Sequence, residues 1–283
     1  MLFLTAGILS WGYPMHLETE ASPPGDLEIL PVDHLPEYVI GFPMHVAITV
    51  RGRSGVFFNA LPFADFLDLH ACVGAEIVGP DNAPVRYLPK PRLDQQSGKR
   101  GGKLAPGESR RMLADVSPYF LNAVPGDYRA RFSYVDTDAR YPAPPVTLRL
   151  RRPTPAESAL LASAAADRPK FATWGLWTTT CPQTLFEKPI GPENPARFNL
   201  IVRKLLCGPA PLDKADPAIL DVLTGLYAPE AHALQAELYQ ARGDGSHYQN
   251  LRSEILREAP GLEWWMRMID GGGAYLKSLR FLP

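Results

Sequence analysis

The residues able to do chemistry in this chain are few, and their spacing decides what each could do. Cys181 stands in Thr178-Thr-Thr-Cys-Pro, where flanking hydroxyls could shelter a thiolate and His232 or His247 could approach as a base. The same surroundings fit a buried cysteine ahead of a proline turn. With no nucleophile signature around it, that structural reading is preferred. His232 and Glu237 share a helical stretch but lack the His-Glu-x-x-His spacing that sets two imidazoles and a general base on one face. The six histidines lie far apart and the three cysteines, Cys72, Cys181 and Cys207, are scattered, so no metal-ligand spacing arises. Gly271-Gly-Gly273 is followed by no Lys-Ser or Lys-Thr, so it reads as a break between helical pieces and not as a phosphate loop. In Glu263-Trp-Trp-Met-Arg-Met-Ile269, Trp264 and Met268 share one helical face and Trp265 a neighbouring one, which favours core packing over a stacking platform. No catalytic residue, metal ligand or cofactor is expected.

What remains is arginine. In Tyr128-Arg-Ala-Arg-Phe-Ser-Tyr134, the apolar Tyr128, Ala130, Phe132 and Tyr134 alternate with Arg129, Arg131 and Ser133, as a half-buried antiparallel strand requires. Val146-Thr-Leu-Arg-Leu150 repeats the pattern, with Val146, Leu148 and Leu150 inward and Thr147, Arg149 and Arg151 outward. If these two strands pair, Arg129, Arg131, Arg149 and Arg151 form one outward stripe. Glu76, expected on a central strand, can neutralise part of it, leaving an ordinary solvated face. The functional reading is a docking surface for an acidic partner, since guanidinium groups offer forked donors to carboxylates.

Other segments supply the frame for these strands. His45-Val-Ala-Ile-Thr-Val-Arg51 alternates Val46, Ile48 and Val50 against His45, Ala47, Thr49 and Arg51, with Gly41 and Pro43 at its entry. Ala71–Val78 and Val85–Leu88 read as strands joined by a turn rich in Gly, Pro, Asp and Asn. Residues 89–107 are polar and glycine-rich, and read as a mobile loop. Past Pro153 the period becomes helical. Thr154-Pro-Ala-Glu157 fits a capping box ahead of the alanine-rich run to Arg168. Helices are expected over 196–206, 216–227, 229–242, about 247–258 and 262–268, with a further piece over 274–280.

The 283 residues carry a formal net charge of −1, which gives no global electrostatic case for a nucleic-acid or membrane partner. Thirty prolines at segment boundaries suit short strands and punctuated helices. Three scattered cysteines favour a reducing compartment, read as cytoplasmic. The apolar opening Met1–Ser10 has no preceding Lys or Arg and is too short to span a bilayer; residues 1–25 are taken as an N-terminal extension.

The entry Tyr38, Gly41, Pro43, the turn Pro106-Gly-Glu-Ser109 and the strand start Pro125, Gly126, Tyr128 resemble the immunoglobulin-like sandwiches of bacterial proteins. That resemblance implies a tyrosine corner at Tyr128, whose hydroxyl ties its strand to the preceding turn. The inter-sheet cysteine pair of antibody domains is absent. The spacing is also similar to that of bacterial intracellular proteinase inhibitors. Pro229–Asp244, with Ala233, Ala236, Tyr239 and Gly243, resembles one helix and turn of a tetratricopeptide repeat, without a second copy.

The expected fold is therefore α+β: an antiparallel immunoglobulin-like β-sandwich of seven strands over 26–153, then an all-helical domain over 154–283. The expected function is non-enzymatic protein binding, as an adaptor, inhibitor or accessory subunit in a bacterial cytoplasm, through Arg129, Arg131, Arg149 and Arg151. The alternative is an enzyme whose site lies near Cys181, Trp174 and Trp177.

Overall fold

The computed structural model describes residues 27–53, 56–58, 63–64, 73–85, 102–135, 140–166, 190–207, 211–273 and 276. Strands occupy the N-terminal half and helices the C-terminal part, in keeping with the α+β expectation.

Twelve strand segments form among the described residues, against the seven strands expected from the sequence. They are β1 (Leu27–Ile29), β2 (Asp33–His34), β3 (Tyr38–Val39), β4 (His45–Gly52), β5 (Val56–Phe58), β6 (Phe63–Ala64), β7 (Val73–Val78), β8 (Gly102–Leu104), β9 (Ser109–Asp115), β10 (Gly126–Val135), β11 (Arg140–Pro142) and β12 (Val146–Arg151). One five-stranded sheet runs β1-β4-β9-β6, with β2 also paired to β4; a second runs β11-β10-β12-β3, with β7 also paired to β10. β5 and β8 form a separate two-stranded piece. The end of the expected loop 89–107 is thus partly a strand, while residues 89–101 lie outside those described.

Alternation on β4 and β10 places the first core. Val46, Ile48 and Val50 of the first sheet share one buried cluster with Tyr128, Ala130, Phe132 and Tyr134 of β10 and Leu148 and Leu150 of β12. Tyr128 donates its hydroxyl hydrogen to the carbonyl of Val124 (2.8 Å) and accepts from the Val124 N–H (2.9 Å), the corner expected from its position. Phe120 meets the same ring edge-on at 5.3 Å.

The first sheet is covered on its other face as well. Ala47 of β4 and Leu113 of β9, directly paired in register, belong to a second cluster otherwise built from the helical part. The helical part includes, among the described residues, α1 (Pro155–Ala166), α2 (Arg197–Cys207), α3 (Ala228–Arg242), α4 (Gly245–Glu258) and α5 (Glu263–Asp270). At α1 the capping box forms as read: the Thr154 N–H donates to Glu157 (2.7 Å) and the Glu157 N–H to Thr154 Oγ1 (3.3 Å). α3 ends where Gly243 takes φ 75°, a left-handed conformation that glycine adopts without penalty. Asp244 then caps α4 through the His247 N–H (3.3 Å), so that α3 and α4 pack as a helical hairpin.

One expected helix is absent. Residues 216–227 form two 3-10 turns, Pro217–Leu220 and Gly225–Tyr227. Thr224 is extended and Gly225 has φ 62°, which no continuous right-handed helix accommodates. The apolar spacing that suggested a helix serves burial instead, since Leu220, Leu223, Leu226 and Tyr227 all enter the second cluster. Trp265 does the same, its indole N–H donating to buried Glu237 (3.3 Å). The turn at Pro260–Leu262 brings backbone onto backbone. A Cβ on Gly261 would stand 2.8 Å from Arg111 Cβ and 2.9 Å from Arg111 N, so the close approach depends on glycine.

Candidate functional site

Two features deserve comparison as sites, and they lie on different sheets. The first is the arginine face. Register pairs Asp127 with Arg149 and Arg129 with Thr147 between β10 and β12, and Arg131 with Glu76 between β10 and β7. Alternation therefore does bring Arg129, Arg131, Arg149 and Arg151 to one side, opposite buried Tyr128, Ala130, Phe132, Leu148 and Leu150.

Their surroundings differ. Arg129 and Arg149 are exposed, while Arg131 and Arg151 are half-buried. Arg149 forks onto Asp127, with Nε to Oδ1 at 2.9 Å and Nη2 to Oδ2 at 3.2 Å; the hydrogen bonds hold the Asp127 carboxyl below its ordinary range. Arg151 is engaged on several sides. It reaches Glu37 (2.8 Å) through Nε and both oxygens of Glu157 (2.6 and 2.7 Å) through its two terminal nitrogens. Those bonds depress the Glu157 carboxyl to about 2, and they clip α1 to the end of β12. Arg151 is spent on this clip, so the outward donors of the face belong to Arg129, Arg131 and Arg149.

The second feature is a cleft of about 450 Å³ between the first sheet and the helical part. It exists because the covered face of that sheet changes character along its length. The cross-strand pairs His45–Asp115 and Ala47–Leu113 sit at one end, and Thr49–Arg111 and Arg51–Ser109 at the other. His45 and Ala47 are buried beneath the helices. Thr49, Arg51, Ser109 and Arg111 line the open end, together with Asp33, His34, Ala259, Pro260 and Gly261.

Arg111 anchors the floor. Its Nε donates to Glu230 (2.9 Å), Nη1 to Asp33 (2.6 Å) and Nη2 to the Leu226 carbonyl (3.0 Å). Glu230 lies in the first turn of α3 with no side-chain exposure, and the Arg111 side chain keeps only 9%. Burial pushes the Glu230 carboxyl up while Arg111 pulls it back. The pair therefore bolts β9 to α3 through a charge contact inside a largely apolar junction.

The buried end holds His45. Its Nδ1 lies 3.2 Å from the Tyr227 hydroxyl, and Phe198 and Tyr227 meet its ring edge-on at 5.3 and 5.6 Å. Phe198 and Tyr227 stack at 4.9 Å, and the Arg197 guanidinium sits over Tyr227. Burial lowers the imidazole pKa, against the opposing pull of Asp115 and Asn199. His232 and His247 are solvent-accessible and face Glu254 and Asp244. Cys72, Cys181, Trp174 and Trp177 lie outside the described residues. Among the described residues no group of three or more His, Cys, Asp or Glu side chains gathers as metal ligands would, and no helix is long and apolar enough to cross a membrane.

Nothing in the local sequence marks Arg111, Glu230 and Asp33 as partners. The available hint is β9 itself, where Arg111, Met112, Leu113 and Ala114 are buried in succession; consecutive burial is the mark of a strand covered on both faces.

No family model matches the chain, and no curated protein matches it in sequence. Among solved structures, the crystal structure of β-glucosidase from Listeria innocua in complex with isofagomine is similar over 44% of this chain and 16% of that enzyme, at 14% identity and a TM-score of 0.26.

Proposed function

We propose that the protein is a non-enzymatic binding module, an adaptor, inhibitor or accessory subunit, that docks an acidic protein partner on the exposed face of β10 and β12. In this reading the two five-stranded sheets are an immunoglobulin-like sandwich and the helical part is a second domain bolted to it. The pooled core of the two sheets and the Tyr128 corner support the sandwich.

The observation that carries the binding reading is a set of outward guanidinium groups on a rigid strand pair. Arg149 is pre-oriented by its fork onto Asp127, and Arg129 stands exposed beside it. Pre-orientation lowers the entropy lost on binding. Asp127, Glu37, Glu157 and Glu76 offset much of the arginine charge, so recognition rests on individual carboxylates meeting individual guanidiniums and less on a long-range field. The buried ionisable groups support the non-enzymatic part, because Arg111, Glu230 and His45 are engaged in holding the sheet to the helices. The test is salt dependence of partner capture. Retention on immobilised protein should fall as ionic strength rises past the point where the Debye length drops below about 8 Å; capture indifferent to salt would count against an arginine-mediated interface.

A further inference from the structure

We propose that the cleft between the first sheet and the helices binds a carboxylate carried on an apolar body, and that Asp33 is the internal carboxylate this ligand displaces. The proposal concerns the opposite sheet from the arginine face and stands independently of it.

The floor of the cleft is a square of four side chains. Thr49 pairs directly with Arg111 and Arg51 with Ser109 across β4 and β9. Same-face neighbours on paired strands stand about 5 Å apart and diagonal ones about 7 to 8 Å. Arg51 and Arg111 therefore root on one diagonal and Thr49 and Ser109 on the other, so that one patch of the sheet carries guanidinium and hydroxyl donors suited to an anion. Leu30, Leu226, Pro229, Ala259 and Pro260 add apolar wall, which selects a ligand with an apolar portion over a bare ion.

Asp33 is the reason to read this floor as a binding site as well as a structural contact. Arg111 has two carboxylate partners of opposite character. Glu230 is sealed, with no side-chain exposure, whereas the Asp33 side chain is 63% exposed and lines the cleft. Asp33 sits on β2, a strand of two residues, so its hold on the guanidinium has little backbone behind it. A carboxylate entering the cleft would replace it on Nη1 while Glu230 keeps the arginine in place. Arg51 is available as a second donor. Its contact with Glu28 is 4.0 Å, beyond hydrogen-bond reach, and Glu28 lies closer to Arg53 at 3.6 Å. At the rim Glu258 is paired with Arg257 (2.8 Å), which offsets its repulsion of an incoming anion.

The experiment is calorimetric titration of the full chain with N-acetyl-leucine, its amide, acetate, and a pentapeptide ending in leucine. N-acetyl-leucine should bind and its amide should not. Asp33→Asn should tighten binding about threefold or more, because the competing charge is gone, and Arg51→Gln should weaken it by a similar factor. A role for Asp33 in structure alone predicts no tightening. Both substitutions are at accessible side chains, and circular dichroism verifies that each variant is folded. Tighter binding of the pentapeptide identifies a chain terminus as the source of the carboxylate; tighter binding of N-acetyl-leucine identifies a free small acid. Acetate binding as tightly as N-acetyl-leucine would overturn the apolar body. Failure of both the native protein and Asp33→Asn to bind any carboxylate, or weaker binding by Asp33→Asn, would overturn the site.

Discussion

Replacing Glu230 with alanine should cost about 3 kcal/mol of folding stability, several times the cost of Asp33→Asn, although both carboxylates hold the same guanidinium. The two contacts are alike in length, 2.9 Å to Nε and 2.6 Å to Nη1. Solvent separates them. Glu230 has no exposed side-chain surface and Asp33 has 63%. Removing one partner of a buried pair leaves an uncompensated charge and costs roughly 3–5 kcal/mol. Asp33 and the Leu226 carbonyl still attend Arg111, which places Glu230→Ala near the lower bound. An exposed partner contributes about 0–1 kcal/mol, and that is the expectation for Asp33→Asn. A third variant separates charge from volume: Arg111→Met combined with Glu230→Leu removes both charges and should recover most of the loss, because apolar replacement of a buried pair is often close to neutral. Urea unfolding followed by circular dichroism measures all three through the midpoint at constant slope. Equal costs for the two carboxylates, or a cost for Glu230→Ala below about 1 kcal/mol, would refute the assignment of the pair as the bolt between β9 and α3.

Tyr128→Phe should destabilise the protein by about 1 kcal/mol in the same assay, less than two hydrogen bonds would suggest, because Val124 is 58% exposed and its freed N–H and carbonyl regain water; no change in midpoint would remove the corner from the account. His45 should make stability pH-dependent. The unfolded chain takes up a proton near the ordinary imidazole value of 6.5 that the folded chain resists, so its contribution to stability is complete above that pH and is lost as pH falls below it. His45→Phe should flatten the fall in urea midpoint between about pH 7 and about pH 5. Comparing the two proteins isolates His45 from Glu230, whose raised carboxyl works in the opposite direction; parallel profiles would show that His45 does not titrate as its burial requires.

The strands that carry the arginine face were legible because alternation with period two reports a buried face, which β12 and the first half of β10 follow; farther along β10 the expectation fails, since Ser133, read as outward with Arg129 and Arg131, is buried as Phe132 and Tyr134 are. The capping box at Thr154 and Glu157 and the left-handed end of α3 at Gly243 were legible for the same kind of reason, since each is a local rule satisfied by neighbouring residues. β4 was half legible. Its inward row Val46, Ile48 and Val50 is as read, but His45 and Ala47 opposite are buried by helices, and the contact that covers His45 comes from Tyr227, 182 positions along the chain. No local pattern encodes a partner at that distance. The joint of Arg111, Asp33 and Glu230 was hidden likewise, because each residue alone looks like an ordinary surface charge. The stretch 216–227 misled for another reason: apolar residues three and four apart fit a helix equally well, and Gly225 at φ 62° decides the matter.

The most direct test of the binding account is a comparison of baits in affinity capture from the source cell lysate, quantified by mass spectrometry. The native protein, Arg129→Glu combined with Arg131→Glu, and a control in the helical part, Lys214→Glu, should all be folded, since exposed and half-exposed charges contribute little to stability. Proteins captured by the native bait and by Lys214→Glu should be lost from the double arginine variant, because a partner carboxylate would then face glutamate in place of guanidinium. Recovery of the same proteins in the same amounts on all three baits would contradict docking through β10 and β12.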